Sequence, residues 1–208
     1  MPPIETFPRP FEPGTTGWSA QDLDDPAIEE KWVEGSYEII DGVLTSMAPA
    51  YFAGGRGLFN VMFACQAYMR DRGIGGSFAI EPEIIIDDSR VLKPDAAMMT
   101  PQDESLQDHA ATIAGRPDPK KSRLFIAPTL IIESVSPGHE RHDRKTKFRW
   151  YAEFKVPNYW ILNAFERSLV CWILDGATYR LDASARDAEE IRPSLFPGLV
   201  IPLATIWG

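Results

Sequence analysis

Two acidic residues in apolar surroundings are the first candidates for chemistry in this sequence. Glu133 lies in the run LIIESV, and Asp95 follows Pro94 in RVLKPDAAMMT. A carboxylate that is buried alone is strongly destabilising unless it takes up a proton, so Glu133 needs a partner if it faces the core. If both carboxylates face one cleft from adjacent strand ends, their repulsion requires a cation. Carboxylate oxygens favour Mg²⁺ or Mn²⁺, and the main-chain carbonyl of Ser134 is a further candidate ligand.

A lysine and a tyrosine follow Glu133 at helical spacing. Asp143, Lys147 and Tyr151 are each separated by four positions, so on an α-helix they share one face while Lys145 points elsewhere. This face begins shortly after the strand of Glu133, so Lys147 can reach back over the carboxylates. A lysine beside a metal can orient or help to deprotonate an attacking water and can balance phosphate charge. As a surface-like lysine it should contribute little to stability.

Two further carboxylates are open alternatives for the site. One step of strand register reverses the face of every side chain, so the turn of the second predicted hairpin decides the place of Glu83. A two-residue turn would pair Asp95 with Pro82, and a three-residue turn would pair it with Glu83. Glu38, in the first predicted hairpin, fits an exposed strand position equally well.

A zinc cluster of His139, His142 and Asp143 is a weaker alternative. The two histidines are three positions apart, whereas the familiar zinc-binding pair on a helix has four-residue spacing. The third histidine, His109, lies in a polar segment and indicates no site. The magnesium interpretation is therefore preferred.

Basic residues are concentrated in two places, although the chain has a formal net charge of −9. This net charge argues against a protein that coats nucleic acid through its overall field. Most basic runs are solvated surface. The first group is Lys120, Lys121 and Arg123, and the second is Arg141, Arg144, Lys145, Lys147 and Arg149. Four members of the second group are candidates for local phosphate contacts, namely Arg141, Arg144, Lys145 and Arg149.

Periodicity and turn signals predict the elements that position these residues. YEIIDGVLTSMAP predicts a β-hairpin that turns at Asp41 and Gly42. AIEPEIIID and RVLKPDAAMMT predict a second hairpin around residues 87–89. Apolar residues at three- and four-residue spacing predict a helix over residues 57–72. Residues 101–123 are poor in large apolar side chains and predict a long loop with one helical turn.

The apolar run LFIAPTLIIESV predicts a central strand. A helix over about residues 139–154 and a strand at YWILNA follow, and a turn at residues 166–168 leads into the strand LVCWIL. Strand, helix and strand form a βαβ-like unit, whose strand direction the sequence leaves open. The chain is therefore predicted to be an α/β protein with a mixed central β-sheet flanked by helices. Residues 1–18, rich in proline, are predicted to be an extended unpacked arm, and residues 19–208 a single domain.

Composition sets the class of protein. With 44% hydrophobic residues, the chain can bury a sizeable core and is expected to be globular. No apolar run approaches the roughly 20 residues of a membrane span, and the N-terminal residues lack the features of a signal peptide. A cytoplasmic protein without membrane association is the expectation. Cys65 and Cys171 have neither metal-site nor disulfide-framework spacing and are expected to be buried.

The order of these motifs resembles a known family. Pro94 and Asp95, then Glu133, then Lys147 resemble the signature of the PD-(D/E)XK, restriction endonuclease-like superfamily. More narrowly, YEIIDGVLTSMAP, KPDAAMM, LIIESVSP and VPNYWIL, spread over about residues 37–164, resemble the Uma-two family of endonucleases. The resemblance implies a restriction endonuclease-like fold and hydrolysis of DNA with Mg²⁺ or Mn²⁺. The catalytic candidates are Asp95, Glu133 and Lys147, and the supporting candidates are Glu83, Glu38, Asp143 and Tyr151.

Two positions depart from the family pattern. The superfamily lysine usually stands two residues after the acid, where this chain has Val135, and the resemblance implies that Lys147 replaces it from the helix. Residues 50–57 lack the histidine that family members commonly place there, and Gly54 stands near that point. The alternative function is therefore a decayed, non-catalytic fold that serves as a binding or assembly module. A homodimer is expected from the proline arm and because cutting both strands of a duplex needs two sites.

Overall fold

A computed structural model describes residues 9–47, 51–113, 115, 123–135 and 143–208, and only the backbone at Ile113, Asp143 and Arg144. The chain divides into two compact units, where the sequence predicts one domain over residues 19–208. Met1–Pro49 and Glu83–Lys93 form the smaller unit, and Ala50–Pro82 and Pro94–Gly208 form the larger one. Each unit is assembled from two separate segments of the chain, so no single boundary in the sequence separates them.

Helices and strands alternate along the chain. The α-helices are α1 (Pro26–Glu34), α2 (Phe52–Asp71), α3 (Pro101–Ile113), α4 (Phe148–Glu153) and α5 (Ala204–Trp207). A 3-10 helix at Ala20–Asp24 precedes α1, and a π-helical turn at Asp143–Lys147 precedes α4. The first seven strands are β1 (Tyr37–Ile40), β2 (Val43–Ser46), β3 (Ser77–Ile80), β4 (Glu83–Asp87), β5 (Arg90–Leu92), β6 (Ala96–Met99) and β7 (Arg123–Leu124). The others are β8 (Leu130–Ser134), β9 (Asn158–Asn163), β10 (Ser168–Asp175), β11 (Thr178–Arg186), β12 (Glu190–Ile191) and β13 (Ile201–Pro202).

The first predicted hairpin is confirmed in the smaller unit. β1 and β2 are antiparallel, and Ile40 pairs with Val43 across the turn. Asp41 and Gly42 have φ angles of 50° and 77°, the positive values that a two-residue hairpin turn of this kind requires. Within this unit the strands lie in the order β2-β1-β5-β4. Its core contains Trp18, Leu23, Ile28, Trp32, Ile39, Leu44 and Val91.

Residues 9–18 differ from the expected unpacked arm. Phe11 makes edge contacts with the rings of Trp18 and Tyr37, at centroid distances of 5.3 and 5.1 Å. The main-chain N–H of Gly14 donates to the carbonyl of Leu44 at 2.7 Å. The proline content suggested an extended segment, but the aromatic residues between the prolines bury apolar surface and hold the segment against β1 and β2. Residues 1–8 of the predicted arm lie outside the described part.

The central sheet of the larger unit confirms the predicted fold class. Its strand order is β11-β10-β9-β8-β6-β3. β8 and β9 are parallel, as expected for a βαβ unit, and the other pairs are antiparallel, so the sheet is mixed. β8 is central, as predicted. Leu130 and Ile132 face the core under α2, so the alternation of side chains directs Ile131 and Glu133 to the opposite face.

The predicted loop over residues 101–123 is wrong in its first half, which forms α3. Thr100 and Asp103 cap this helix reciprocally: the Thr100 N–H donates to Asp103 Oδ2 at 2.8 Å, and the Asp103 N–H donates to Thr100 Oγ1 at 3.2 Å. Pro101 occupies the first helical position, where its missing N–H is harmless. The sequence TPQD thus contained a helix start that the shortage of apolar residues concealed.

α2 starts at Phe52, five positions before the predicted start. The glycines at 54, 55 and 57 argued against a helix there, since each disfavours a helix by about 1 kcal/mol relative to Ala. Two of them are required by packing. A Cβ at Gly54 would stand 2.6 Å from Ser134 Oγ, and one at Gly57 would stand 3.0 Å from Leu162 Cδ2. Close approach of α2 to the ends of β8 and β9 outweighs the local propensity.

The second predicted hairpin is divided into the pairs β4–β5 and β3–β6. Pro82 and Pro94 separate the two halves, because proline has no N–H for the strand ladder. A β-bulge between Ile85 and Asp87 shifts the register. The Glu81 N–H donates to the carbonyl of Asp95 at 3.1 Å. Asp95 is therefore opposite Glu81, and both predicted pairings, with Pro82 and with Glu83, are wrong.

Among the described residues, no helix combines the length and apolar character needed to cross a bilayer.

Candidate active site

Glu133 is buried near the end of β8 and has two side-chain partners on one oxygen. It is 5% exposed. The Lys147 ammonium lies 3.2 Å from Glu133 Oε1, and the Tyr151 hydroxyl donates to the same oxygen at 2.8 Å. Charge-assisted hydrogen bonds of this kind are stronger than neutral ones. A buried carboxylate needs partners, and Glu133 has Lys147 and Tyr151 from the helical segment that follows.

The helical segment after β8 directs these two donors inward. Lys147 ends the π-helical turn and Tyr151 lies in α4, and both are buried, whereas Lys145 is exposed. The four-residue spacing of Lys147 and Tyr151 therefore does put them on one face. The spacing of Asp143 and Lys147 spans a π-helical turn, to which α-helical periodicity does not apply. Single π-turns occur frequently at functional sites.

Asp95 lies beside Glu133 across the paired strands β6 and β8. Ala96 pairs with Ile132, so the same register continued by one residue sets Asp95 opposite Glu133. Residues opposite each other on antiparallel strands have Cβ atoms roughly 5 Å apart on the same face of the sheet. The main-chain N–H of Ser134 donates to Asp95 Oδ2 at 2.5 Å. This bond fixes the Asp95 carboxylate at the end of β8.

The site contains hard oxygen donors and one cation. The carboxylates of Asp95 and Glu133 are ligands that suit Mg²⁺ or Mn²⁺. Within the described part of the chain, no group of three or more His, Cys, Asp and Glu side chains forms a ready metal cluster.

Cys65 and Cys171 lie in the apolar core, and burial raises the pKa of Cys65 to about 12 and that of Cys171 above its usual value. Neither thiol is poised to act as a nucleophile.

Glu38 and Glu83, the supporting candidates, lie in the smaller unit. The main-chain N–H of Lys93 donates to Glu38 Oε1 at 2.9 Å. Glu83 Oε1 accepts from Trp32 Nε1 at 2.7 Å and lies 3.8 Å from the Lys93 ammonium. Their supporting role stays a prediction.

Only part of the predicted basic surface falls in the described residues. Lys145 and Arg149 are exposed, and Arg149 lies 3.5 Å from Glu153. Arg123 differs from a solvated surface residue, since it is buried. Arg144 is described by its backbone alone, as is Asp143. Lys120, Lys121, His139, Arg141 and His142 lie outside the described residues, and with them most of the alternative zinc cluster.

Sequence reasoning missed two features of the site. The Ser134 N–H that holds Asp95 is a main-chain group, which no residue type signals. The contact between α2 and Ser134 had an indirect signal in the glycines at 54 and 57, because glycines inside a helix often mark a close approach. That contact places the first turn of α2 beside the end of β8.

Comparison with known proteins gives a family and a fold. The family described as "Uma2: Putative restriction endonuclease" matches residues 30–204. A solved structure, described as "a putative nuclease belonging to DUF820 from Anabaena variabilis", aligns with a TM-score of 0.63 at 12% sequence identity. The alignment covers 84% of this chain and 90% of that chain. Identity at this level shows a shared fold alone. No curated protein matches the chain.

Proposed function

Because this chain belongs to the Uma2 family of nucleases, we propose that it is a metal-dependent endonuclease that hydrolyses phosphodiester bonds in DNA. One observation carries the proposal: Asp95, Glu133, Lys147 and Tyr151 meet at the end of β8. The first three are the two acids and the lysine of the resemblance, with the lysine supplied by a helical segment instead of the strand. Val135, at the usual position of that lysine, is buried and apolar.

Asp95 and Glu133 would hold Mg²⁺ or Mn²⁺, with the carbonyl of Ser134 as a further ligand. A carboxylate offers about four acceptor positions over its two oxygens, so two hydrogen bonds at Glu133 Oε1 are compatible with metal binding. When bound, the ion would supply Lewis-acid polarisation of the phosphate and a more acidic water.

The side chains around the carboxylates have distinct proposed roles. Tyr151 and the Ser134 N–H each hold one carboxylate in place, so the two acids are oriented before a substrate arrives. The Lys147 ammonium carries three N–H donors and lies 3.2 Å from Glu133 Oε1. We assign to this ammonium the orientation of the attacking water and the stabilisation of charge on the phosphate.

DNA is the proposed partner, and two copies of the chain would cut its two strands. Lys145 and Arg149 are exposed, next to the helical turn that carries Lys147, and Arg141 and Arg144 are the other proposed phosphate contacts. Each phosphate contact releases counterions, so affinity should fall steeply as salt rises. The steepness is set by the number of contacts, with a slope of about −0.9 in log affinity against log salt for each phosphate neutralised.

The alternative function is a binding or assembly module whose site has decayed. Burial of the Glu133–Lys147 pair favours it, because a buried ion pair also serves as a purely structural element. The valine at position 135, where the superfamily usually has its lysine, also favours the non-catalytic module. The two functions differ in whether the protein binds a divalent ion and cuts DNA.

The test is cleavage of supercoiled plasmid by the purified chain with Mg²⁺, Mn²⁺ or EDTA. Wild type should produce nicked and linear DNA with either ion and none with EDTA. Asp95→Asn and Glu133→Gln should each lower the rate at least about 100-fold, the usual scale for a group acting on a proton or its metal. Lys145→Met, which removes only one proposed phosphate contact, should cut at a rate far closer to wild type than either of these variants when salt is low.

Calorimetric titration with Mn²⁺ gives a second readout that does not depend on activity. Wild type should bind the ion, and Asp95→Asn should bind it far more weakly. A wild-type protein that neither binds Mn²⁺ nor cuts any DNA would overturn the nuclease proposal and leave the non-catalytic module.

A further inference from the structure

Three phenylalanines project into solvent from one side of α2. Phe52, Phe59 and Phe63 are 85%, 61% and 62% exposed. With about 3.6 residues per turn, they lie within roughly 40° of one another around the helix axis. The opposite side of α2 packs in the core through Leu58, Val61 and Cys65. The exposed phenylalanines, here named the α2 stripe, are therefore dispensable for the packing of α2 on the sheet.

The α2 stripe is uncharged along its middle. Residues 57–69 contain no charged side chain, although 25% of the whole chain is charged. The flanking cations are Arg56, which donates to the carbonyl of Trp207, and Arg70. Phe59 and Phe63 stack on each other, with ring centroids 6.4 Å apart and planes inclined by 19°. The centre of the stripe is thus a neutral, ordered aromatic surface.

We propose that the α2 stripe is the contact surface between two copies of this chain. A two-fold contact sets the same patch against itself, so the patch must be compatible with its own copy. Two chains with a formal charge of −9 repel each other, and a face without carboxylates is where they can approach. Interface cores are rich in aromatic residues and poor in charged ones, as this stripe is.

Nucleic acid fits the same surface less well. Platforms that stack unpaired bases combine aromatic rings with a positively charged groove that follows the phosphates. Here the cations of α2 next to the stripe, Arg56 and Arg70, lie beyond the two ends of the uncharged run 57–69, Arg56 already donates to the carbonyl of Trp207, and the Phe59 and Phe63 rings cover part of each other. A second copy needs no such charge.

The size of the surface suits the core of a dimer contact. Three largely exposed phenylalanines from each of two copies would remove roughly 600–1,000 Å² from water, of the about 1,600 Å² in a standard interface. Polar residues such as Asn60 and Gln66 flank the phenylalanines along α2 and would form the rim.

This contact would also arrange the two candidate sites. If the α2 helices pack antiparallel with the two-fold axis between Phe59 and Phe63, the two copies of Gly54 lie about 20 Å apart along the helices, at about 1.5 Å per residue. Gly54 abuts Ser134 Oγ, so each Gly54 marks the end of one β8, whose Glu133 side chain lies on the face of the sheet away from α2. The dimer would hold two copies of the candidate site in a fixed two-fold arrangement. This last consequence rests on the proposed nuclease function, whereas the contact itself does not.

Sedimentation velocity on the full chain tests the contact. Wild type should sediment as a dimer of 23.3 kDa chains at micromolar concentration. The double variant Phe59→Gln/Phe63→Gln should dissociate at least tenfold more readily while its circular dichroism spectrum stays unchanged, because both rings are exposed. Val33→Gln, at a side chain 70% exposed on α1, is the matched control and should remain a dimer.

A monomeric wild type, or a dimer that withstands the double substitution, would overturn the proposal. So would loss of single-stranded oligonucleotide binding in the double variant without any change in mass, since that result assigns the stripe to unpaired bases. In the plasmid assay the double variant should still nick but should linearise much less than wild type. A wild type that forms the dimer and cuts nothing would refute the nuclease and leave the contact standing.

Discussion

Each of the two units holds one buried acid, one partly buried acid, one buried lysine and one aromatic hydrogen-bond donor close together. In the larger unit these are Asp95, Glu133, Lys147 and Tyr151, and in the smaller unit they are Glu38, Glu83, Lys93 and Trp32. The two groups have the same formal charge and nearly the same composition. A buried glutamate beside a lysine is therefore no mark of catalysis by itself.

The lysines differ in how they are held. Lys93 donates to Glu38 through its main-chain N–H, and its ammonium lies 3.8 Å from Glu83 and 4.7 Å from the centre of the Trp32 ring. Lys147 approaches Glu133 with its side chain alone, from a helical segment at the end of a strand. Lys93 thus ties the end of β5 to its neighbours, while Lys147 brings its ammonium to the carboxylate of Glu133. The candidate active site differs from the cluster in the smaller unit because its buried glutamate, Glu133, lies near the end of a strand beside Asp95.

The largest expected effect concerns the stability contributed by Lys147. The sequence suggested a surface-like lysine, but Lys147 is 4% exposed and pairs with a buried carboxylate. Lys147→Met removes the ammonium that lies 3.2 Å from the buried Glu133 carboxylate, so the free energy of unfolding should fall by roughly 3–5 kcal/mol. Urea denaturation measures this change.

The double variant Glu133→Gln/Lys147→Met separates stability from catalysis. It removes both charges, so most of the lost stability should return. Cleavage of plasmid should remain abolished, because the acid and the lysine are both gone. Recovery of cleavage together with stability would show that the pair only holds the fold, and Lys145→Met serves as the exposed control.

The next effect concerns the corresponding lysine of the smaller unit. Lys93→Met keeps the main-chain bond to Glu38 and the Trp32 bond to Glu83, and removes an ammonium that lies 3.8 Å from Glu83 and 4.7 Å from the centre of the Trp32 ring. Unfolding free energy should fall by about 1–3 kcal/mol, less than for Lys147→Met. The cleavage rate of the folded protein should stay within about threefold of wild type, since this lysine serves the strands. A rate loss comparable with that of Lys147→Met would instead support Glu83 and Glu38 as parts of the active site.

Sequence reasoning succeeded where a local pattern decides the structure. The Asp41–Gly42 turn, the apolar run of β8 and the four-residue spacing of Lys147 and Tyr151 each follow from backbone preferences or periodicity. From these, the mixed sheet and the meeting of Lys147 with the strand of Glu133 could be predicted. The catalytic roles of these residues stay predictions.

Features set by distant contacts could not be predicted. The bulge near Ile85 moved Asp95 opposite Glu81, and a bulge adds a residue without leaving a sequence signal. The start of α2 runs through glycines because the ends of β8 and β9 lie against it. The sequence singled out Glu133 because its neighbours in LIIESV are apolar. Glu38 also has apolar neighbours, in the run YEII, and both glutamates are buried, so burial alone could not distinguish the cluster of Glu133 from that of Glu38.

The smallest expected effect concerns the ion pair of Asp87 and Arg90, which is partly exposed and serves as a reference for the buried pairs. Asp87 in the smaller unit pairs with Arg90 at 2.5 Å, yet its side chain is 40% exposed. Burial acts to raise the pKa of Asp87, but hydrogen bonds from Arg90 and Ser89 outweigh it, so the pKa lies below its usual value of 3.8. A carboxylate with a lowered pKa stabilises the fold above its unfolded pKa, and this contribution disappears as the pH falls from 3.8 through the lowered value. Solvent screening keeps the contribution small.

Asp87→Asn should therefore lower the unfolding free energy at pH 7 by less than about 1 kcal/mol. The difference between variant and wild type should shrink toward zero as the pH falls below 3.8, which urea denaturation at several pH values can measure. Like Glu133 and Lys147, this pair joins one carboxylate to one cation, so exposure and the replacement of lysine by arginine are what separate the two pairs. If Asp87→Asn were as destabilising as Lys147→Met, burial would not be what sets the strength of these pairs, and the comparison between the two clusters would lose its basis.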